Sequence, residues 1–154
     1  MTSQSVEASP GVAGMRWYEI RRVNGVYSIY QQGTYNPGDG VHRWMGSAAM
    51  DRKGNIALGY SVVNGTDVFP GIRYTGRLAG DPAGAMTLGE GVAVAGSGVQ
   101  TTTNSRWGDY TSMNIDPVDD CTFWYVNEYY TAAGQASAPN GWQTRISSFR
   151  LPGC

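Results

Sequence analysis

The sequence contains few charged residues and almost no lysine or histidine. Charged side chains make up 15% of the 154 residues, below the ~25% of an average globular protein, and lysine occurs once, as Lys53. Coiled coils and helical bundles need far more Ala, Glu, Lys and Leu, so the composition excludes both classes. Histidine occurs only as His42, and a zinc site built on it would need both cysteines as further ligands.

The sequence also lacks an excess of charge of one sign and a long apolar run. Eleven basic and twelve acidic residues give a net charge of −1 without a basic stripe, which argues against a nucleic-acid partner. No apolar run approaches the ~20 residues of a membrane-spanning helix. Residues 1–14 have neither the basic start nor the apolar centre of a secretory signal, so we expect a flexible leader there.

Glycine and aromatic residues are abundant. The chain has 22 glycines, seven prolines, ten tyrosines and five tryptophans, and the glycines and prolines separate short apolar runs. Such a composition is typical of twisted strands joined by tight turns. No stretch shows a 3.6-residue apolar period with helix caps. The sequence therefore predicts an all-β fold without a helix.

The two cysteines, Cys121 and Cys154, are predicted to form a disulfide, the alternative being two free buried thiols. The bond would close a loop of about 34 residues and stabilise the fold by roughly 3–4 kcal/mol. A disulfide implies an oxidising compartment, hence an extracellular or cell-surface location. Because no signal peptide is seen, we expect the chain to be the tail of a longer exported precursor.

An internal repeat is the strongest signal in the sequence. Residues 43–51, which contain Arg43-Trp44, return as residues 106–116, which contain Arg106-Trp107. A polar turn and three further strand-like elements complete the pattern, and partial copies open the chain. The first further element occurs at residues 56–63 and 122–130. The second occurs at 71–78, 144–151 and 15–21, and the third at 92–95 and 26–30.

A unit of about 65 residues with four strands fits one antiparallel blade of a β-propeller. The chain then holds about two and a half blades. The third and fourth strands of a blade, called C and D, are expected at 15–34, and further blades at 43–98 and 106–154, so residues 15–154 are predicted to form a propeller fragment. A closed ring needs at least four blades. We therefore expect either self-association, with a six-bladed trimer as the simplest solution, or neighbouring blades in a longer chain.

Five stretches carry a resemblance to a known family: residues 50–61, 72–77, 106–110, 116–125 and 145–154. They resemble the C-terminal blades of exported bacterial proteins with sialidase-like, Asp-box-related propeller repeats. The resemblance covers about residues 15–154 and implies a propeller fold and an exported protein. It implies no particular ligand, since most such proteins are uncharacterised.

The two Arg-Trp pairs are the first candidate ligand site. Arg43-Trp44 and Arg106-Trp107 open equivalent strands, so both pairs are expected at one rim of the propeller channel. An indole ring can stack on a sugar while a guanidinium makes forked hydrogen bonds to a carboxylate. The alternative is that the pair recurs because every blade needs the same packing.

Two acids break the repeat, since Asp109 and Glu128 stand where the earlier unit has Gly46 and Val62. Two carboxylates at one end of a blade could perform acid/base chemistry on a glycoside or hold Ca²⁺. Alternatively, Asp109 caps a turn and Glu128 pairs with Arg106. Two tyrosines lie close by in sequence and complete this set, Tyr110 and Tyr129.

A second acidic group lies in the turn after the repeated Arg-Trp strand. Asp116, Asp119 and Asp120 fall within five residues and could hold Ca²⁺, the alternative being an ordinary Asp-rich turn. No other cofactor is indicated. The sequence favours a non-catalytic extracellular module that binds a glycan or a protein at the blade rim. The alternative is part of a sialidase-like glycoside hydrolase whose active site needs further blades, so enzymatic activity stays open.

Overall fold

A computed structural model describes residues 1–103, 105–137 and 141–154 of the protein. These residues form ten β-strands and one short helix. The elements are β1 Thr2–Ser9, β2 Val12–Val23, β3 Val26–Tyr35, β4 His42–Met50, β5 Ile56–Val63, β6 Gly71–Arg77, β7 Leu88–Val94, β8 Ser112–Ile115, β9 Phe123–Tyr130, α1 Ala132–Ala136 and β10 Trp142–Phe149.

The strands form three antiparallel sheets that are stacked on one another. Sequential strands are neighbours in each sheet, with the orders β1-β2-β3, β4-β5-β6-β7 and β8-β9-β10. The four-stranded sheet is the middle layer, because β1 and β2 of the first sheet and β8 of the third sheet all pack against β4, and β9 packs against β5 and β6. The prediction of an all-β fold with a four-stranded second unit is confirmed.

The core lies on the two faces of β5, which is buried along almost its whole length. On one face, Leu58 and Tyr60 pack with Trp17 of the first sheet. On the other face, Ala57 packs with Phe123 and Tyr125 of the third sheet. Burial on both sides explains why residues 56–63 read as a continuous apolar run instead of alternating with polar residues.

Gly59 allows the third sheet to approach β5. A Cβ atom built at this position would lie 2.5 Å from the ring of Tyr125, closer than any real contact. The aromatic ring therefore lies directly over the glycine, and a larger residue at position 59 would push the middle and third sheets apart.

The first sheet differs from the prediction. We expected a flexible leader over residues 1–14, but Thr2–Ser9 form β1 and pair with β2 from Thr2 opposite Tyr18 to Ser9 opposite Val12. The sequences expected as C and D strands are therefore the second and third strands of a three-stranded sheet. Polar β1 escaped recognition because, as an edge strand, it needs little apolar sequence, and only part of its surface is covered by β4.

The short helix α1 was not predicted. Thr131 begins it, since its Oγ1 accepts a hydrogen bond from the backbone N–H of Gly134 at 3.0 Å. Five residues are too few to show an apolar period, which is why the sequence pattern gave no sign of it. Strand β8 is also shorter than expected, because residues 106–111 form a loop before it. Within the described residues, no helix has the length and apolarity to cross a membrane.

The predicted disulfide is confirmed, with 5.5 Å between the Cα atoms of Cys121 and Cys154. It ties the last residue of the chain to the turn that precedes β9. Leu151, just before the end, packs into the core cluster shared by the middle and third sheets. The bond and this contact together fix the segment that follows β10.

Two aspartates organise the turns at the ends of β4 and β8. The Oδ1 atom of Asp51 accepts hydrogen bonds from the backbone N–H groups of Lys53 and Asn55, at 2.8 and 2.9 Å. Asp116 Oδ1 accepts one from Val118 at 2.9 Å. The two turns also touch, because the backbone N–H of Arg52 donates to the carbonyl of Asp120. Both aspartates therefore act as turn residues.

Candidate functional site

A cleft of about 230 Å³ opens beside the third sheet. It is smaller than the ~300–1,000 Å³ pockets that hold drug-sized ligands. The loop between β7 and β8 supplies most of its wall, and β9 and β10 supply the rest. The lining residues are Arg106, Trp107, Gly108, Asp109, Glu128 and Trp142.

Trp107 is held rigidly against the middle sheet. Its indole Nε1–H donates to Ser61 Oγ on β5 at 2.9 Å, and its ring lies 5.8 Å from Trp44 and 5.9 Å from Tyr130, centroid to centroid. Ser61 Oγ also accepts a hydrogen bond from Asn127 Nδ2 at 3.0 Å. Contacts from two sheets thus fix the ring before any ligand arrives, which reduces the entropy lost on binding.

Arg106 is paired with Asp109. Its Nε donates to Asp109 Oδ2 at 2.7 Å, and the terminal nitrogen approaches the same oxygen. The hydrogen bond to the Asp109 carboxylate raises the pKa of Arg106, because it stabilises the charged guanidinium. Because 69% of the Arg106 side chain is exposed, this ion pair adds little to the stability of the fold.

Glu128 lies on β9 and turns its carboxylate toward the cleft. Burial raises the pKa of this carboxyl, nearby Asp109 raises it further, and the backbone N–H of Gly108 acts in the opposite direction. Among the described residues, Glu128 takes part in no ion pair. The alternative in which Glu128 pairs with Arg106 is wrong, because no ion pair of the described residues joins the two side chains.

Trp142 is a cleft residue that the sequence analysis missed. It begins β10 opposite Tyr130 of β9, and 40% of it is exposed. The repeat alignment starts two residues later, so no equivalent in the earlier unit drew attention to it. The available signal was a tryptophan in a polar stretch just before a predicted strand.

The remaining predicted residues lie around the cleft without lining it. Trp44 is behind Trp107, and Tyr110 is 89% exposed in an adjoining depression. Tyr129 packs against the core shared with the middle sheet and donates its hydroxyl to Gln143 Oε1 at 2.9 Å. The structure thus brings four of the eight predicted ligand residues to one cleft: Arg106, Trp107, Asp109 and Glu128.

Arg43 belongs to an internal ion cluster and not to the cleft. Its side chain is fully buried, and its guanidinium donates to Glu90 at 2.7 Å and to both carboxylate oxygens of Asp39. Glu90 also accepts hydrogen bonds from Tyr60 and Arg73. Burial opposes ionisation of Glu90, but these donors together lower its pKa. The expectation that both Arg-Trp pairs present arginine at one rim does not hold for Arg43.

The proposed calcium site in the turn before β9 is not assembled. Asp119 uses its carboxylate on the backbone N–H groups of Cys121 and Thr122 and on Arg150, and these backbone hydrogen bonds lower its pKa to about 2. Asp116 accepts the indole N–H of Trp124 at 3.0 Å. Across residues 1–103, 105–137 and 141–154, no three His, Cys, Asp or Glu side chains converge as metal ligands. The carboxylates of Asp116 and Asp119 serve the turn instead, and Asp120 contributes its backbone N–H, which donates to the carbonyl of Asp116.

Comparisons with known proteins add no assignment. No protein-family model, no curated protein and no solved structure matches the chain. The function is therefore argued from the cleft itself.

Proposed function

We propose that the chain is a non-catalytic binding module of an exported protein and that its cleft binds a glycan. The observation that carries this proposal is the combination of a fixed Trp107 with an exposed Trp142 in one cleft edged by charged groups. Sugar rings have an apolar C–H face and a polar rim. A cleft with two indole rings and three ionisable side chains complements both parts.

Two contacts weigh against the sialidase-like alternative. Such an enzyme needs arginines that are free to hold a substrate carboxylate, together with separated acid and base groups. Arg106 is already paired with Asp109, and Arg43 is buried among Asp39 and Glu90. The described residues therefore favour binding over glycoside hydrolysis.

The proposed architecture is an open stack of propeller blades. Each sheet is an antiparallel meander, and consecutive sheets pack face to face, as blades do. Both end sheets leave apolar side chains exposed: Ile20 and Ile29 on the first, and Ile146 on the third. We infer that further copies of the chain, or neighbouring blades, cover these surfaces. The disulfide supports an extracellular location.

A glycan array followed by calorimetric titration of the best ligand tests the binding proposal. Trp142→Ala should weaken binding at least tenfold. Trp124→Ala is the matched control, because Trp124 is 43% exposed on the same sheet but lies outside the cleft. Its affinity should stay within about twofold of the wild type.

A parallel screen with fluorogenic glycosides tests the enzymatic alternative, and no turnover is expected. Turnover that is lost in Glu128→Gln would replace the binding proposal with a hydrolase. An array without any bound glycan, or equal losses in Trp142→Ala and Trp124→Ala, would remove the glycan site.

A further inference from the structure

The cleft carries an uncompensated negative charge. One guanidinium, Arg106, and two carboxylates, Asp109 and Glu128, line it, which gives a formal charge of −1. Arg106 and Asp109 neutralise each other through their ion pair. The remaining charge is that of Glu128, which lines the same cleft as Trp107 and Trp142.

Among the described residues that line the cleft, Arg106 is the only cation, so Glu128 has no second one beside it. The loop before β8 contributes Arg106 with its partner Asp109, and the neutral phenol Tyr110. On β10 the residue directly opposite Glu128 is Thr144. The next residue, Arg145, is opposite Asn127 and lines the groove against β7 on the other face of the sheet. A positive charge on the ligand would therefore be the missing partner of Glu128.

A carboxylate beside aromatic faces is a site for an ammonium group. The carboxylate attracts the charge directly, and the faces of tryptophan rings attract it through their π electrons. An acidic sugar would be repelled, because its carboxylate would face a net negative cleft whose one guanidinium is already paired with Asp109.

We propose that the cleft selects amino sugars, with the sugar ring on the tryptophans and its ammonium group on the carboxylate of Glu128. This inference rests on the proposed glycan-binding function and deepens it. It predicts that ionisation of Glu128 is required, so affinity should fall as the pH drops through the pKa of this carboxyl. Because burial raises that pKa, the fall should begin at a higher pH than for an exposed glutamate.

Calorimetric titration with glucosamine and N-acetylglucosamine oligosaccharides of equal length tests the inference, at about pH 6.5 where the free amine is protonated. The glucosamine oligomer should bind at least tenfold more tightly, and a sialylated oligosaccharide should bind worst. In Glu128→Gln the two oligomers should bind alike, because the carboxylate that attracts the free amine is gone. Glu7→Gln, a change at a glutamate on β1 that does not line the cleft, is the matched control and should keep the preference.

The outcomes separate the inference from the function on which it rests. Equal binding of the two oligomers by the wild type, or a preference for the sialylated one, overturns the amino-sugar preference and leaves glycan binding in place. A preference that survives in Glu128→Gln overturns the role of this residue. Absence of binding to all three sugars overturns the amino-sugar preference, and glycan binding itself is overturned only if the glycan array also shows no ligand.

Discussion

The two Arg-Trp pairs begin with the same dipeptide in a repeated sequence and end in different environments. Arg43 is fully buried on β4, where its guanidinium is shared between Asp39 and Glu90. Arg106 is mostly exposed in a loop and pairs only with its neighbour Asp109 among the ion pairs of the described residues. Each tryptophan is close to the other, with 5.8 Å between the ring centroids. The two tryptophans of the repeat therefore share one aromatic contact with each other, whereas the two arginines have different roles.

The position of each sheet in the stack explains the difference. The middle sheet is covered on both faces, so its ionisable groups must be paired internally. The third sheet is covered on one face, and its other face can carry charge. Val62 on β5 is buried, whereas its counterpart Glu128 on β9 borders the cleft.

The largest expected effect is a difference in stability between variants of the two arginines. Arg43→Ala leaves Glu90 and Asp39 without their central partner and should cost about 3–5 kcal/mol of unfolding free energy. Arg106→Ala removes an exposed ion pair and should cost no more than about 1 kcal/mol. Urea denaturation of the two variants measures both values. Equal losses would show that the two arginines have the same structural role.

Some features of the fold and of the cleft could be predicted from the sequence, and others could not. The strands of the second unit, the disulfide and the two Asp turns could be predicted, because each depends on residues close together or on a simple pairing. The burial of Arg43 could not, since its partners Asp39 and Glu90 come together only when β4 and β7 share a sheet. Trp142 escaped for the same reason, because its place in the cleft depends on the register of β10 on β9.

Loss of the disulfide should have the next largest effect on stability, and it concerns a difference between the middle and third sheets. The middle sheet has a fourth strand, β7, whereas the three-stranded third sheet is tied to the end of the chain by Cys121–Cys154. Cys121→Ser and Cys154→Ser should each lower the unfolding free energy by about 3–4 kcal/mol, and the double variant should lose no more than either. Chemical denaturation measures these losses.

Thiol labelling of the native, unreduced protein provides the control for that experiment and should detect no free cysteine. Two reactive thiols would contradict the disulfide and with it the extracellular proposal. Additive losses in the double variant would show that each cysteine contributes by its own packing and not through the bond.

The turn aspartates give a smaller pair of effects. Asp51 is 5% exposed and accepts two backbone N–H groups and the side-chain amide of Asn55, so Asp51→Ala should cost about 2–3 kcal/mol. Asp116 is less buried and accepts one backbone N–H and the indole of Trp124, so Asp116→Ala should cost about 1 kcal/mol. Thermal unfolding compares them, with Asp51→Asn as a control that keeps the acceptor oxygen. Unchanged melting in both alanine variants would contradict the turn assignment.

The smallest expected effect concerns affinity and tests whether the shared aromatic contact is also a shared site. Trp107 lines the cleft, whereas Trp44 supports it from behind. Trp107→Ala should therefore weaken glycan binding more than tenfold, or about 1.4 kcal/mol, and Trp44→Ala by about threefold through a looser Trp107 ring. Calorimetric titration of both variants with the same glycan, below their melting temperatures, gives the comparison. Equal losses would mean that both tryptophans touch the ligand. The site would then follow the symmetry of the repeat and would include residues of the middle sheet.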